Sequence, residues 1–160
     1  MKEVIVKVAD WAAERGDGVI VTLGLGSCVA IMLYDADRAA GAMAHVLLPS
    51  RSLAHDATNL AKFPESAVPL LIERLKALGA EPRRLVAKLA GGASMFSQLM
   101  TPGTIQMGER NIVASRNALR AASIPIVKES VGGERGRSVR FHVKDGRVEI
   151  RSVGADAEVI

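Results

Sequence analysis

Only one cysteine, Cys28, occurs in the 160 residues, which excludes an internal disulfide and gives no support to an oxidising compartment. Aromatic residues are as scarce, at 3 %. The core must therefore be built from Val, Leu, Ile, Ala and Met, and the ring platforms that stack on single-stranded nucleic acid are missing. No apolar stretch approaches the roughly 20 residues that span a bilayer. Residues 1–10 alternate charged and apolar side chains without the central apolar run of a signal peptide. These absences lead to the expectation of a soluble, cytoplasmic protein with no nucleic-acid partner and no membrane insertion.

What is present is ordinary for a globular chain: 49 % hydrophobic and 24 % charged residues. The length favours one domain over residues 1–160, large enough to bury a core without staples. The formal charge is +4, and the Lys and Arg residues are scattered. That pattern fits a solvated surface, or attraction to an acidic protein partner.

Hydrophobic periodicity then divides the chain. Val4, Val6 and Val8 alternate as a strand, and residues 11–18 read as loop. Residues 19–23, 28–34 and 43–48 are further strand candidates, with Gly24 and Gly26 between the first two. Residues 50–62 form a polar loop long enough to suspect a function. Ser66 is a candidate N-cap with Pro69 in the first turn, ahead of the helical spacing of Val68, Leu71, Ile72, Leu75 and Leu78. Gly79 and Pro82 end that helix. Residues 85–90 read as strand, 109–122 as a helix with Ile112, Ala118 and Leu119 inward, and 124–129 as strand. Val139, Phe141 and Val143, then the Asp145-Gly146 turn, then Val148, Ile150 and Val153, predict a hairpin. Strands at both ends with two helices between them make an α+β protein rather than a regular βαβ repeat.

The chemistry centres on Cys28. A lone cysteine is commonly a small buried apolar residue. Here two glycines stand directly upstream, in Gly24-Leu25-Gly26-Ser27-Cys28. They allow a tight turn, close approach of a substrate and convergence of backbone N–H groups as an oxyanion site requires; a structural turn would use them too. The backbone of Gly26, Ser27 and Cys28 is the candidate donor set. A thiol nucleophile needs a base, and the choices are His45, His55 and His142. If residues 28–34 and 41–48 form a hairpin centred near residues 36–37, Cys28 lies opposite His45. If the centre is near Arg38, His45 is displaced but remains a neighbour. An imidazolium beside the thiol would create thiolate at neutral pH. His55 sits in the polar loop, and His142 on the polar side of its strand. No acid flanks His45, but the Thr22 hydroxyl is a candidate acceptor for the imidazole N–H, or an ordinary strand threonine. No cysteine pair or pair of histidines on one helical face predicts a metal site, and no phosphate or dinucleotide loop is complete. Arg135 and Arg137, among Gly132, Gly133 and Gly136, read as a surface turn or an anion seat.

Several motifs resemble the chemoreceptor glutamine deamidase family, CheD. They are Thr22-Leu23-Gly24-Leu25-Gly26-Ser27-Cys28-Val29, Met43-Ala44-His45-Val46-Leu47-Leu48-Pro49, and Lys88-Leu89-Ala90-Gly91-Gly92-Ala93-Ser94-Met95-Phe96. Ile105-Gln106-Met107-Gly108-Glu109-Arg110-Asn111 and Gly132-Gly133-Glu134-Arg135-Gly136-Arg137 follow in the same order. The resemblance implies a single-domain layered α/β/β sandwich with mixed sheets. It also implies deamidation of glutamines on methyl-accepting chemotaxis receptors, in their cytoplasmic helical region, without a cofactor. It puts the family's catalytic cysteine, histidine and threonine on Cys28, His45 and Thr22, and implies a CheC-type phosphatase as a further partner.

Overall fold

The computed structural model describes residues 2–95, 99, 103 and 105–160, so of the motif residues Phe96 lies outside them. Along the chain run β1 (Glu3–Ile5), β2 (Trp11–Arg15), β3 (Val19–Leu25), β4 (Val29–Asp35), β5 (Ala40–Val46), α1 (Pro64–Ala77) and β6 (Val86–Gly91). Then follow α2 (Met107–Ala121), β7 (Ile126–Val131), β8 (Arg137–His142), β9 (Val148–Arg151) and β10 (Glu158–Val159). They form two mixed five-stranded sheets, ordered β1-β3-β8-β9-β10 and β2-β5-β4-β6-β7.

The alternation along β4 shows why the molecule has three layers. Its odd residues Val29, Ile31 and Leu33 pack with Val68, Leu71 and Leu75 of α1 and Ile112 and Leu119 of α2. Its even residues Ala30, Met32 and Tyr34 pack with Ile20, Val139, Phe141 and Ile150 of the other sheet. Successive strand side chains point to opposite faces, so helices cover one face of the second sheet and the first sheet covers the other. β4 and β5 are buried at every position. Burial on both faces explains their nearly unbroken apolar sequence. This is the expected α/β/β sandwich of α+β class.

Several elements differ from the sequence expectation. Residues 11–15 are strand, paired antiparallel with β5 from Trp11↔Ala44 to Arg15↔Ala40. As the edge strand it tolerates Glu14 and Arg15, whose charges hid it, and the Arg74 guanidinium caps Trp11 at 4.9 Å. Helix α1 begins at Pro64 after Phe63, not after Ser66; Pro64 supplies the preset φ of a first turn. The Ser66 hydroxyl instead donates to the Leu60 carbonyl at 2.7 Å. Pro69 consequently falls inside the helix, on an exposed face where water reaches the freed carbonyl. Val153 lies beyond β9 and is 95 % exposed, while β10 adds a strand that its two-residue length concealed. The polar stretch 50–62 holds two short 3₁₀ turns, at Arg51–Leu53 and Leu60–Lys62.

Candidate active site

The segment joining β3 to β4 crosses from one sheet to the other, and Cys28 stands at its end. β3 carries a bulge between Thr22 and Leu25 in its pairing with β8, with Gly24 at φ +67°. The extra residue bends the strand and turns the chain towards the second sheet. Leu25 is left fully buried, while Leu23 is exposed. The crossing is held by backbone bonds, Ala93 N–H to the Gly26 carbonyl at 2.9 Å and Gly92 N–H to the Cys28 carbonyl at 2.8 Å. A side chain on Gly91, at φ +109°, would collide with that Cys28 carbonyl.

Thr22 and His45 lie on different sheets and meet across the gap between them. Thr22 Oγ1 is 2.7 Å from the Val6 carbonyl oxygen and 2.7 Å from His45 Nδ1. A carbonyl only accepts, so the one hydroxyl proton goes to Val6. The same oxygen must then accept from Nδ1–H, which assigns the neutral ring's lone pair to Nε2. Both residues are buried, and Nε2 has no hydrogen-bond partner among the described residues. The His45 backbone is fixed as well, donating to the Asp10 carbonyl at 3.0 Å and accepting from Ala9 N–H at 2.9 Å.

In the β4–β5 ladder the residue opposite His45 is Ala30, and Val29 pairs with Val46. The hairpin therefore centres between residues 37 and 38, and Cys28 is not directly opposite His45. It lies two residues along on the same face, since Cys28 shares the inter-sheet core with Ala30 and Met32. Diagonal neighbours of this kind stand about 7–8 Å apart, within reach of long side chains.

Burial acts on both Cys28 and His45, against the expected thiolate. Cys28 is 8 % exposed, and burial pushes its thiol up from the ordinary 9.0, partly opposed by its own backbone N–H directed at the sulfur. Burial likewise holds His45 below the ordinary 6.5. Both shifts favour the uncharged forms of the two groups.

Asn111 is a buried polar residue beside the site that the sequence alone did not single out. It is fully buried on α2, and its Nδ2 donates to the Ser27 carbonyl at 2.9 Å and the Leu47 carbonyl at 3.1 Å. The signal was available: Asn111, Ser115 and Ala118 share a helical face, so an Asn stood in line with apolar positions. Helix α2 approaches this closely because Gly108 rests on the Gly92 and Ala93 carbonyls, where a side chain would collide. Beside the loop, Ser27, Ala93, Ser94, Met95 and residues 106–108 line a cleft.

The remaining candidates lie apart from this arrangement. His55 is exposed. His142 Nε2 faces Glu149 at 3.1 Å. Arg135 donates to the Gly154 carbonyl at 2.8 Å and Arg137 to the Gly91 carbonyl at 3.2 Å, and both line a cleft with Gly24, Glu134 and Arg151. Among the described residues no group of three His, Cys, Asp or Glu comes together to hold a metal ion, and no helix is long and apolar enough to cross a membrane.

Comparison with known proteins agrees with this architecture. A family model described as CheD chemotactic sensory transduction matches residues 47–152. A protein of Caldanaerobacter subterraneus subsp. tengcongensis is 39 % identical over 155 residues, covering 97 % of this chain and 96 % of that protein. One of Moorella thermoacetica is 42 % identical over 160 residues, covering 99 % and 96 %. One of Clostridium kluyveri is 42 % identical over 154 residues, covering 96 % and 95 %. Each of the three is named as a probable chemoreceptor glutamine deamidase CheD. The crystal structure of a Neisseria meningitidis protein of the DUF152 family shares the fold, with a TM-score of 0.55 at 12 % identity, covering 91 % of this chain and 71 % of that one. With relatives this similar over nearly their full length, the chain belongs to the CheD family.

Proposed function

We propose that this chain is a protein-glutamine deamidase whose substrates are glutamine side chains in the cytoplasmic helical region of methyl-accepting chemotaxis receptors, with Cys28 as nucleophile and His45 as base. The observation that carries the chemistry is the Thr22–His45 hydrogen bond, which leaves Nε2 as the basic nitrogen, without a partner among the described residues, on the same sheet face as the chain's one thiol. The substrate rests on the names of the relatives.

The neutral pair dictates the order of events. As the Cys28 sulfur attacks the amide carbon, its proton passes to His45 Nε2. The carbonyl oxygen becomes an oxyanion, for which the N–H groups of Ser27 and Cys28 are the donors. The intermediate collapses by breaking the carbon–nitrogen bond, and the nitrogen takes the proton from His45 and leaves as ammonia. His45 then removes a proton from water, which attacks the thioester, and returns it to the departing sulfur. The net change is amide plus water to carboxylate plus ammonium, and no cofactor takes part. Thr22 acts through His45 by fixing the tautomer and the ring plane. The cleft between Ser27 and Met107 admits the glutamine side chain.

Under this reading the protein works in the cytoplasm, and a CheC-type phosphatase is a second partner, to be tested by calorimetric titration. The enzymatic part is tested by ammonia release from a receptor cytoplasmic fragment. Parent protein should release ammonia, Cys28→Ala should not, and His45→Gln should lose about 10²–10⁴-fold. Release by Cys28→Ala at the parent rate would refute the assignment.

A further inference from the structure

We infer that Asn111 is a positioning residue that presets the oxyanion donor by holding the Ser27–Cys28 peptide plane. This rests on the reading of Cys28 as nucleophile and extends it to a residue on a different element. In a trans peptide the C=O of one residue and the N–H of the next point in opposite directions. The Ser27 carbonyl is bonded to Asn111 Nδ2 at 2.9 Å, on the side of α2. The Cys28 N–H of the same plane therefore points away from the helix. Rotating this peptide would break the Asn111 bond and turn the carbonyl oxygen, a negative dipole end, to where the oxyanion develops.

The amide is committed to this task at both protons. The second donates to the Leu47 carbonyl, two residues beyond His45, so one side chain ties the nucleophile loop to the end of the base strand. Its own oxygen, Oδ1, is buried and has no hydrogen-bond partner among the described residues. Asn111 is also not held by its neighbours on the helix: Ser115 Oγ donates to the Asn111 main-chain carbonyl at 2.7 Å, not to the amide.

Two reactions of Cys28 separate positioning from general disruption. Acylation by p-nitrophenyl acetate passes through a tetrahedral oxyanion, whereas alkylation by iodoacetamide is a direct displacement that forms none. Asn111→Asp keeps the shape but removes both donors, and Asn111→Ser shortens the side chain. In folded Asn111→Asp and Asn111→Ser the acylation rate of Cys28 should fall roughly tenfold to a hundredfold, below the full effect of removing an oxyanion donor. The alkylation rate and its pH profile should stay within about twofold of the parent. Equal acylation rates in variant and parent would overturn the inference, as would parallel losses in both reactions or failure of both variants to fold. Because neither reagent is a glutamine, a wrong substrate assignment would leave this comparison intact, and it would show instead as absent receptor deamidation by the parent.

Discussion

The Thr22 hydroxyl bonds to His45 Nδ1 at 2.7 Å while giving its own proton to the Val6 carbonyl at the same distance. In the proposed mechanism a neutral hydroxyl thus fills the place that a carboxylate holds in many triads. A carboxylate would stabilise an imidazolium, and a threonine does so only weakly. That choice agrees with the burial that lowers the His45 pKa from its ordinary value and so favours the neutral ring.

Replacing Thr22 by Val should remove the acceptor and leave a buried Nδ1–H unpaired. The cost to stability is about 1–3 kcal/mol, and kcat should fall about tenfold to a hundredfold, part of what a positioned base contributes. Thr22→Ser should recover most of both. Denaturant unfolding and steady-state kinetics on the three proteins measure this, and an unchanged kcat in Thr22→Val would remove Thr22 from the mechanism.

The neutral resting pair has a signature in thiol reactivity. A preformed thiolate–imidazolium pair would give a plateau of alkylation at acidic pH. Here the iodoacetamide rate of Cys28 should keep rising with pH beyond the ordinary thiol value of 9.0. A plateau in the acidic range would show that the thiol is ionised before substrate binds.

His45 also links stability to pH. Its folded value lies below 6.5, so between the two values the unfolded chain holds a proton that the folded chain does not. Stability therefore rises with pH across that window. The contribution is fully present above 6.5 and is lost as pH falls through the folded value. Thermal unfolding between about pH 7 and pH 5 should show a steeper decline in the parent than in His45→Gln. Parallel declines would contradict the burial-driven shift.

Gly91→Ala tests the packing beneath the proposed nucleophile, Cys28. The new Cβ would meet the Cys28 carbonyl, and φ is +109°, so the backbone must move and no rotamer change relieves it. A loss of roughly 2–4 kcal/mol is expected, combining left-handed strain with overpacking, and activity should fall with it. Gly16→Ala, also at positive φ but with open space around it, should lose less stability and keep the parent's kcat. Equal losses at the two positions would show that the close approach to Cys28 is unimportant.

Much of this was legible because alternation and glycine placement are local signals. The strands around Cys28 and His45, the acceptor role open to Thr22 and both helices could be read from side-chain order. The hairpin register could not, because residues 36–39 allow more than one turn and only the full ladder fixes Ala30 opposite His45. β2 was hidden because an edge strand needs few apolar residues. Ser66 resembled an N-cap until Pro64 was seen to take the first turn. Asn111 escaped because its partners, Ser27 and Leu47, are 84 and 64 residues away, and no spacing rule carries that far. The burial that favours the neutral forms of Cys28 and His45 comes from two sheets, which composition alone does not set.

The most direct measurement is mass spectrometry of a chemoreceptor cytoplasmic fragment after incubation with parent protein and with Cys28→Ala. Parent protein should convert particular glutamines to glutamates, each with the mass gain of an amide becoming an acid, and Cys28→Ala should leave all of them intact. Conversion by Cys28→Ala, or none by the parent, would contradict the account.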